Sequence, residues 1–284
     1  MKHCFLKRLV FLSLFGFMGT CLAAAEMASV YPHKIIALSP HTVELLFAIG
    51  AGDRIVGTTE ASDYPQKASA ITRVGGHHGL QLETIVELDP DLILAWQGGN
   101  KASDIKRLED LGLRVHRGNT KALDDIAFEV RELGRLTGLS ETAEVVALDF
   151  EGDLKQLRDT YQSRQPVSFF YQLWAKPLRS IAPASWINDV MTGCGGRNIV
   201  PNVPALYPEV SMESVLISAP EIIFQPSVNT AKVPSNDVWQ KWPEIPAVAN
   251  QHIYSIDADL LHRFSLRILD GMQQICEKIE LVRK

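Results

Sequence analysis

From residue 34 onward, short runs of β-branched and other apolar residues alternate with segments whose apolar residues recur at helical spacing. The short runs predict β-strands at 34–38, 55–59, 91–96 and 113–116. The periodic segments predict helices at 42–49, 82–88, 103–111 and 124–136. Strands separated by helices are typical of a parallel sheet that helices cover on both faces.

Between residues 139 and 165 the pattern changes to one long helix. Ser140 is a suitable N-cap, and the acidic Glu141 and Glu144 favour the first turns. The helix should span about 22 residues, or ~33 Å, before Pro166. The alternation then returns, with strands predicted at 167–173, 221–225 and 252–256 and helices at 212–217 and 266–279.

This order of elements predicts an α/β fold with two Rossmann-like lobes, joined by a single long α-helix, with a ligand cleft between the lobes. We assign residues 26–138 to the N-terminal lobe, 139–165 to the linking helix and 166–284 to the C-terminal lobe. The alternative is one continuous sheet with a long crossover helix.

Residues 1–25 are typical of a secretory signal peptide. A basic start with Lys2, Lys7 and Arg8 precedes an apolar run at 9–18, and small residues at 22–25 form a cleavage site. The run is shorter than the roughly 20 residues of a membrane span. We expect a soluble periplasmic protein after cleavage; the alternative is a lipid anchor on Cys21.

Two cysteines, Cys194 and Cys276, remain after export. An oxidising compartment would join such a pair, and the alternative is two buried free thiols.

The mature chain carries 25 basic and 33 acidic residues, because the three basic residues at 1–25 are lost, and its net charge is −8. A mildly acidic chain without basic clusters argues against nucleic acid as a partner.

Enzyme motifs are incomplete. Gly50 and Gly52 have the spacing of the first two glycines of a dinucleotide-binding loop, but Ile55 stands where the third glycine is needed. No Walker lysine motif or nucleophile elbow occurs, so we predict no catalytic residues. The pair His77-His78 lies in a glycine-rich loop. A carrier of free metal ions would need ligands from both lobes, and the long acidic histidine-rich loop expected of such carriers is absent, so we assign no metal site.

Large rings follow predicted strands. Trp96 ends one strand, while Tyr171 and Trp174 lie around the end of the first strand of the second lobe. Ligands of open α/β sheets bind at the carboxyl ends of strands. These rings are therefore predicted to face one cleft and to suit a large, flat, mostly apolar ligand. The alternative is that they are ordinary core residues.

A longer series of motifs resembles one family along nearly the whole mature chain. The motifs are Ala37-Leu-Ser-Pro40 with Glu44, Asp63-Tyr-Pro65, Leu82-Glu83, Asp89-Pro-Asp-Leu92, Trp96-Gln-Gly-Gly-Asn100, Cys194-Gly-Gly-Arg-Asn-Ile199, Pro208-Glu-Val-Ser211, Asp259 with Arg263, and Gln273-Gln-Ile-Cys276. They occur in the same order in periplasmic vitamin B12-binding proteins. Several are shared with siderophore and haem binders; the Ala-Trp-x-Gly-Gly-Asn segment and the cysteine pair are more specific to the cobalamin branch.

The resemblance implies a monomeric substrate-binding protein that holds cobalamin between its lobes and delivers it to an ABC importer, a permease dimer with ATPase subunits. It implies a Cys194–Cys276 disulfide. It also implies that Glu83 and Glu213, one on each lobe, dock to arginines of the permease. From sequence alone, each glutamate is explained equally well as a residue that the helix dipole favours.

The implied ligand contacts include the stretch Asp259, Leu260, Leu261, His262 and Arg263. Leucines replace aromatic residues there, and family aromatic positions fall on Ala61 and His77, whereas Trp96 is retained. Stacking is therefore expected to involve Tyr171, Trp174 and Leu260.

His77 has two interpretations: a hydrogen bond to a corrin amide, which we favour, or ligation of the cobalt. The alternative function is a haem or siderophore carrier of the same fold, with His77 or Tyr171 on iron or arginines on carboxylate arms.

Overall fold

A computed structural model describes residues 31–76, 78–227 and 238–284. The signal-peptide prediction at 1–25 and His77 lie outside these residues. The strands are β1 (Ile35–Ala37), β2 (Ile55–Thr58), β3 (Thr72–Arg73), β4 (Gly75–Gly76), β5 (Gly79–Leu80), β6 (Leu92–Trp96), β7 (Val115–Gly118), β8 (Val167–Tyr171), β9 (Trp174–Ala175), β10 (Leu178–Arg179), β11 (Gly196–Asn198), β12 (Ile222–Ser227) and β13 (Ile253–Asp257). The helices are α1 (Pro40–Ala48), α2 (Leu82–Glu87), α3 (Ala102–Asp110), α4 (Asp125–Thr137), α5 (Ser140–Tyr161), α6 (Trp186–Gly193), α7 (Met212–Ser218), α8 (Pro246–Ala249), α9 (Ala258–Leu261) and α10 (Ile268–Arg283).

Two separate parallel sheets form two lobes. The first has the order β3-β2-β1-β6-β7 and the second the order β11-β8-β12-β13. This arrangement confirms the predicted α/β class with two lobes and excludes one continuous sheet. The boundaries at residues 138 and 166 stay predictions, although α5 falls between the two sheets in sequence.

Helix α5 differs from its prediction at its first residue. Ser140 is the first helical residue, Leu139 occupies the cap position, and no side chain caps this end. Gly138 precedes it with φ +75°, so the α4–α5 turn is made by backbone geometry instead of a serine hydroxyl. The buried residues of α5 form one apolar stripe, Ala143, Ala147, Phe150 and Leu154, which faces the protein interior.

Alternate residues of the central strands enter different cores. Ile35 and Leu94 belong to a large apolar cluster that also contains Phe169 and Phe224 of the second lobe. Their neighbours pack outward, into one smaller cluster on each lobe. This two-residue alternation joins the inner faces of both sheets along α5. The glycine-rich segment predicted as a loop contains two short strands, because β4 and β5 pair there in antiparallel fashion.

Cys194 and Cys276 form a disulfide with an S–S distance of 2.01 Å. It joins the end of α6 to the middle of α10, so the predicted pairing is confirmed and the alternative of free thiols is excluded. In the described part of the chain, no helix combines the length and apolarity that crossing a membrane requires.

One helix–turn–strand unit occurs in each lobe. Residues 82–94 and 212–224 correspond position by position at an offset of 130. In both, a short helix ends in a non-glycine residue with positive φ, at +49° and +45°, followed by proline, an acidic residue and an apolar strand.

The acidic residue makes the same kind of contact in both units, with a backbone amide at the start of the neighbouring strand. The Asp91 carboxylate accepts a hydrogen bond of 2.8 Å from the Lys34 amide, and the Glu221 carboxylate accepts one of 2.8 Å from the Ser168 amide. Each therefore holds the start of the neighbouring strand.

Candidate functional site

Aromatic rings from both lobes meet at the carboxyl edges of the two sheets. His41 lies in the first turn of α1, and its ring centroid is 5.1 Å from that of Trp96 and 6.0 Å from that of Phe264. The Trp96 and Phe264 centroids are 6.2 Å apart. Because Trp96 ends β6 and Phe264 follows α9, these contacts cross the cleft and mark the candidate site.

The loop after β6 fixes the Trp96 ring. The Asn100 side chain accepts a hydrogen bond of 2.7 Å from the Trp96 amide and donates one of 2.8 Å to the Leu38 carbonyl. A Cβ on Gly99 would lie 2.0 Å from Trp96 Cε3, so only glycine lets the turn fold over the indole. Trp96 Nε1 is buried and has no hydrogen-bond partner among the described residues. Contact between this donor and a ligand would therefore require the glycine turn over the indole to move.

The ring series continues into the second lobe. Ser185 caps α6 by accepting a hydrogen bond from the Ile187 amide, which fixes the position of Trp186. Trp186 Nε1 donates to the Leu261 carbonyl at 3.1 Å, and its ring centroid lies 4.7 Å from Phe264. The ring centroid of Tyr207 lies 6.2 Å from that of Trp186. The cleft therefore has an apolar surface built from both lobes.

His262 is half-buried and contacts Tyr171. Its Nε2 is 2.9 Å from the hydroxyl of Tyr171. Burial lowers the pKa of His262 to about 4 and raises the pKa of Tyr171, so both groups are uncharged at neutral pH. The side chains of Tyr171 and Leu261 have no exposed surface, so direct ligand contact by either, as predicted, would require a rearrangement.

Arg263 and Arg267 connect the lobes through acidic residues. The Arg263 guanidinium donates to Glu44 Oε1 at 2.9 Å, to Asp63 Oδ1 at 2.8 Å and to Asp259 Oδ1 at 2.7 Å. Arg267 donates to both Glu44 oxygens, at 2.9 and 2.7 Å. We call these five residues the inter-lobe ion network. Arg263, predicted to contact the ligand, donates to carboxylates from both lobes in this structure.

The central residues of the inter-lobe ion network are buried, and this burial shifts the pKa values of neighbouring groups. The side chains of Glu44 and Arg263 are only 4% and 9% exposed. Burial, followed by the charge of Arg263, lowers the pKa of His41 to about 3, so His41 is a neutral ring buried between the lobes. Burial also raises the pKa of Asp259 despite the opposing charge of Arg263. A buried carboxylate shared by two guanidiniums favours one fixed lobe arrangement.

The remaining predicted residues have different positions. Ala61 is exposed and Leu260 is half-buried. Trp174 is 61% exposed in the β9–β10 pair. Glu83 and Glu213 are both exposed, in the first turns of α2 and α7.

The sequence interpretation missed several cleft residues: His41, Trp186, Tyr207, Phe264 and Arg267. Arg267 lies four residues after Arg263 in the segment between α9 and α10, so the second cation close in sequence was an available signal. Their acidic partner Glu44 lies 219 and 223 positions away, so no local pattern could have paired them. Within the described residues, no group of three His, Cys, Asp or Glu side chains is arranged to hold a metal ion.

Comparison with known proteins gives consistent matches. The family model for periplasmic binding proteins matches residues 35–260. A vitamin B12-binding protein of Vibrio campbellii is 35% identical over 262 residues, 92% of this chain and 94% of the relative. One from Vibrio cholerae is 36% identical over 260 residues, 91% and 93% of the two chains.

Solved structures agree with these matches. The crystal structure of the periplasmic vitamin B12-binding protein BtuF of Vibrio cholerae matches with a TM-score of 0.81 and 37% identity, covering 89% of this chain and 98% of that chain. The haem-binding protein RhuT of Roseiflexus sp. RS-1 shares the fold, with a TM-score of 0.79 at 18% identity over 89% and 99% of the chains. The chain belongs to the periplasmic binding protein family.

Proposed function

We propose that this protein captures cobalamin in the cleft between its lobes and delivers it to an ABC importer, without a chemical step of its own. The carrying observation is identity of 35% or more to vitamin B12-binding proteins along nearly the whole chain. The cleft supports the proposal, since it combines flat apolar rings with an unpaired indole donor, as a corrin with peripheral amides requires.

In the proposed site, Trp96 stacks against the corrin and, once the turn at Gly98 and Gly99 moves aside, donates from Nε1 to the carbonyl of a peripheral amide. Ala61, His77 and Leu260 complete the surface, with Trp174 at its margin. Asp259 and His262 face its polar groups. Tyr171 and Leu261 support His262 and Trp186 from behind, and Arg263 keeps the lobes at the separation that the ligand needs.

The proposal includes export and docking. Residues 1–25 are removed as a signal peptide. The mature monomer acts in the periplasm, the compartment from which its family takes its name. Glu83 and Glu213 orient it on basic side chains of a permease dimer, whose ATPase subunits drive import. Mass spectrometry of the exported protein tests the cleavage directly.

Calorimetric titration of the mature protein with cyanocobalamin, with haemin in parallel, tests the substrate. We expect one-to-one binding of cobalamin with submicromolar affinity. Trp96→Ala should weaken it at least about tenfold, because a stacked ring and a donor are both lost. Tyr31→Ala is the matched control, since Tyr31 packs on Gly138 at the opposite edge of the first sheet. Binding of haemin alone would replace cobalamin with the haem alternative.

A further inference from the structure

A second cavity lies in the first lobe, apart from the cleft. It has a volume of about 430 Å³ and lies between α4 and β7, the last strand in the described part of the first sheet. None of the residues that line it belongs to the ring series of the cleft or to the inter-lobe ion network. Its chemistry depends on Gly118 and Thr120, at and just after the end of β7, and on Phe128 and Glu129 of α4.

Glu129 lines this cavity as a buried carboxyl group with one weak partner. The residue is 6% exposed, and its Oε2 accepts a long hydrogen bond, of 3.5 Å, from the Thr120 hydroxyl. Its Oε1 has no hydrogen bond or ion pair with the residues that the structure describes. Burial, followed by the charge of Glu132, raises the pKa of Glu129, because both disfavour the anion. The cavity therefore contains an acceptor that a cationic donor from outside the protein can bind.

Gly118 keeps space open beside that acceptor. Its φ lies outside the left-handed region, so its backbone conformation does not require glycine. A Cβ at this position would lie 2.8 Å from Glu129 Oε1 and 3.4 Å from the carboxyl carbon of Glu129. The missing side chain leaves room beside Oε1 that a small group of a ligand can occupy.

The other charged groups around the cavity already have partners. Asp125 accepts hydrogen bonds of 2.8 and 2.9 Å from two backbone amides of the preceding loop. Glu132 binds the Arg135 guanidinium at 2.6 and 2.9 Å, and the Arg117 guanidinium binds Glu109 of α3 at 2.6 and 2.8 Å. No three His, Cys, Asp or Glu side chains are grouped to hold a metal ion in the described part of the chain. The unused acceptor therefore fits an organic cation better than a metal ion.

We propose that this cavity binds a primary alkylammonium group. The ammonium donates to Glu129 Oε1 and to the Thr120 hydroxyl, and the alkyl chain packs on Phe128, whose surface is 69% exposed. Because Glu129 is almost enclosed, a cation on a slender chain reaches it more easily than a quaternary ammonium or a planar guanidinium. The group comes from a free amine or from a lysine side chain of a partner protein, since both present the same atoms.

NMR titration of the mature protein with n-butylammonium chloride, with n-butanol as the neutral analogue, tests the proposal. We expect saturable shifts of the Gly118 and Thr120 amide resonances with the ammonium and none with the alcohol at the same concentration. Glu129→Gln should weaken binding at least about tenfold, since a charged hydrogen bond is lost. Gly118→Ala should weaken it to a similar extent, because a methyl group fills the space beside Oε1. Equal shifts with n-butanol, or unchanged affinity in both variants, would overturn the proposal.

Glu141→Gln is the matched control, because Glu141 is exposed in the first turn of α5 and should not affect binding. Thermal unfolding checks that each variant is folded; if Glu129→Gln is not, Gly118→Ala decides, since it keeps the carboxyl group. Tetramethylammonium should not bind, and binding as tight as that of n-butylammonium would mean unspecific attraction to acidic surface and overturn the proposal.

A parallel titration with Nα-acetyl-lysine methylamide separates the two sources of the ammonium. Affinity at least equal to that of n-butylammonium supports a lysine of a partner protein, whereas binding of n-butylammonium alone supports a free amine. Cobalamin titration of the same variants should be unchanged, because the cavity shares no residue with the cleft. Failure of this proposal is therefore distinct from failure of the proposed function.

Discussion

The lobe before α5 and the lobe after it contain the same helix–turn–strand unit but carry different charges at the cleft. Within the unit, buried Ile85 and Val215 correspond, as do the carboxylates of Asp91 and Glu221. Across the cleft, the first lobe supplies only carboxylates, Glu44 and Asp63, to the inter-lobe ion network. The second lobe supplies both arginines, together with Asp259.

Residue types within the repeated unit and residue types at the cleft answer to different contacts. Framework positions of the unit satisfy contacts inside one lobe, so the same chemistry works twice. Cleft positions satisfy contacts between lobes, so they must be complementary and cannot be the same. Four predictions test this division, beginning with the largest expected effect.

Replacing Glu44 by Gln should break the contact between the lobes. It leaves Arg263 and Arg267 without their shared carboxylate, and removing one partner of a buried ion pair costs about 3–5 kcal/mol of the free energy of unfolding. Urea denaturation measures the loss. Glu109→Gln is the control, because its ion pair with Arg117 is at the surface and the midpoint should hardly change. An unchanged midpoint for Glu44→Gln would mean that apolar contacts and the Asp63–Arg263 ion pair hold the lobes together without Glu44.

Removing the disulfide should destabilise the second lobe more than the first. The Cys194→Ser, Cys276→Ser double variant should lose about 2–4 kcal/mol, since the crosslink restricts the unfolded chain of the second lobe only. Hydrogen exchange should rise more in β8 and β12 than in β1 and β6. A reducing agent should destabilise the wild type but not the variant. Equal acceleration in both sheets would show that the lobes unfold as one unit.

Acid should lower the free energy of unfolding through His41 and His262. Burial lowers the pKa of both in the folded state, to about 3 and about 4, whereas the unfolded histidines titrate near 6.5. The unfolded state therefore binds protons first, and stability is lost as pH falls from about 6.5 towards these values, by about 2 kcal/mol per histidine at pH 5. Thermal unfolding from pH 7 to 5 measures the slope. His262→Gln should have a shallower slope; an unchanged slope contradicts the buried neutral form.

The repeated carboxylates should make equal, smaller contributions. Asp91→Asn and Glu221→Gln each weaken charged hydrogen bonds to a neighbouring strand start, at about 1–2 kcal/mol. Paired urea titrations compare them. Asp89→Asn is the control, because its ion pair with Lys34 is exposed and asparagine tolerates a positive φ. A difference above about 1 kcal/mol between the two variants would show that the units are not energetically equivalent.

Local pattern predicted most elements to within a few residues. The strand predicted at 91–96 is Leu92–Trp96, and the helix predicted at 124–136 is Asp125–Thr137. Both have strong apolar periodicity, which depends only on near neighbours. Short β11 and the β4–β5 hairpin were missed because two or three residues carry too little periodicity to be distinguished from loops.

For the candidate site, local chemistry predicted Trp96 and its glycine turn but not the burial of Tyr171. Trp96 is marked by its position at a strand end, before Gly98 and Gly99. Tyr171 has the same kind of position, yet His262, 91 residues away, covers its hydroxyl. Exposure depends on which distant segment packs above a residue, and no local pattern contains that information.

Periodicity and motif order are properties of the chain, so they were enough to predict the α/β class, the two lobes with their linking helix, the cysteine pair and the family. The pairing of Arg263 and Arg267 with Glu44, and the contact of Tyr171 with His262, became visible only in the folded protein. The reason is physical: ion pairing and burial depend on which side chains meet in space, and the lobes bring together residues more than 200 positions apart.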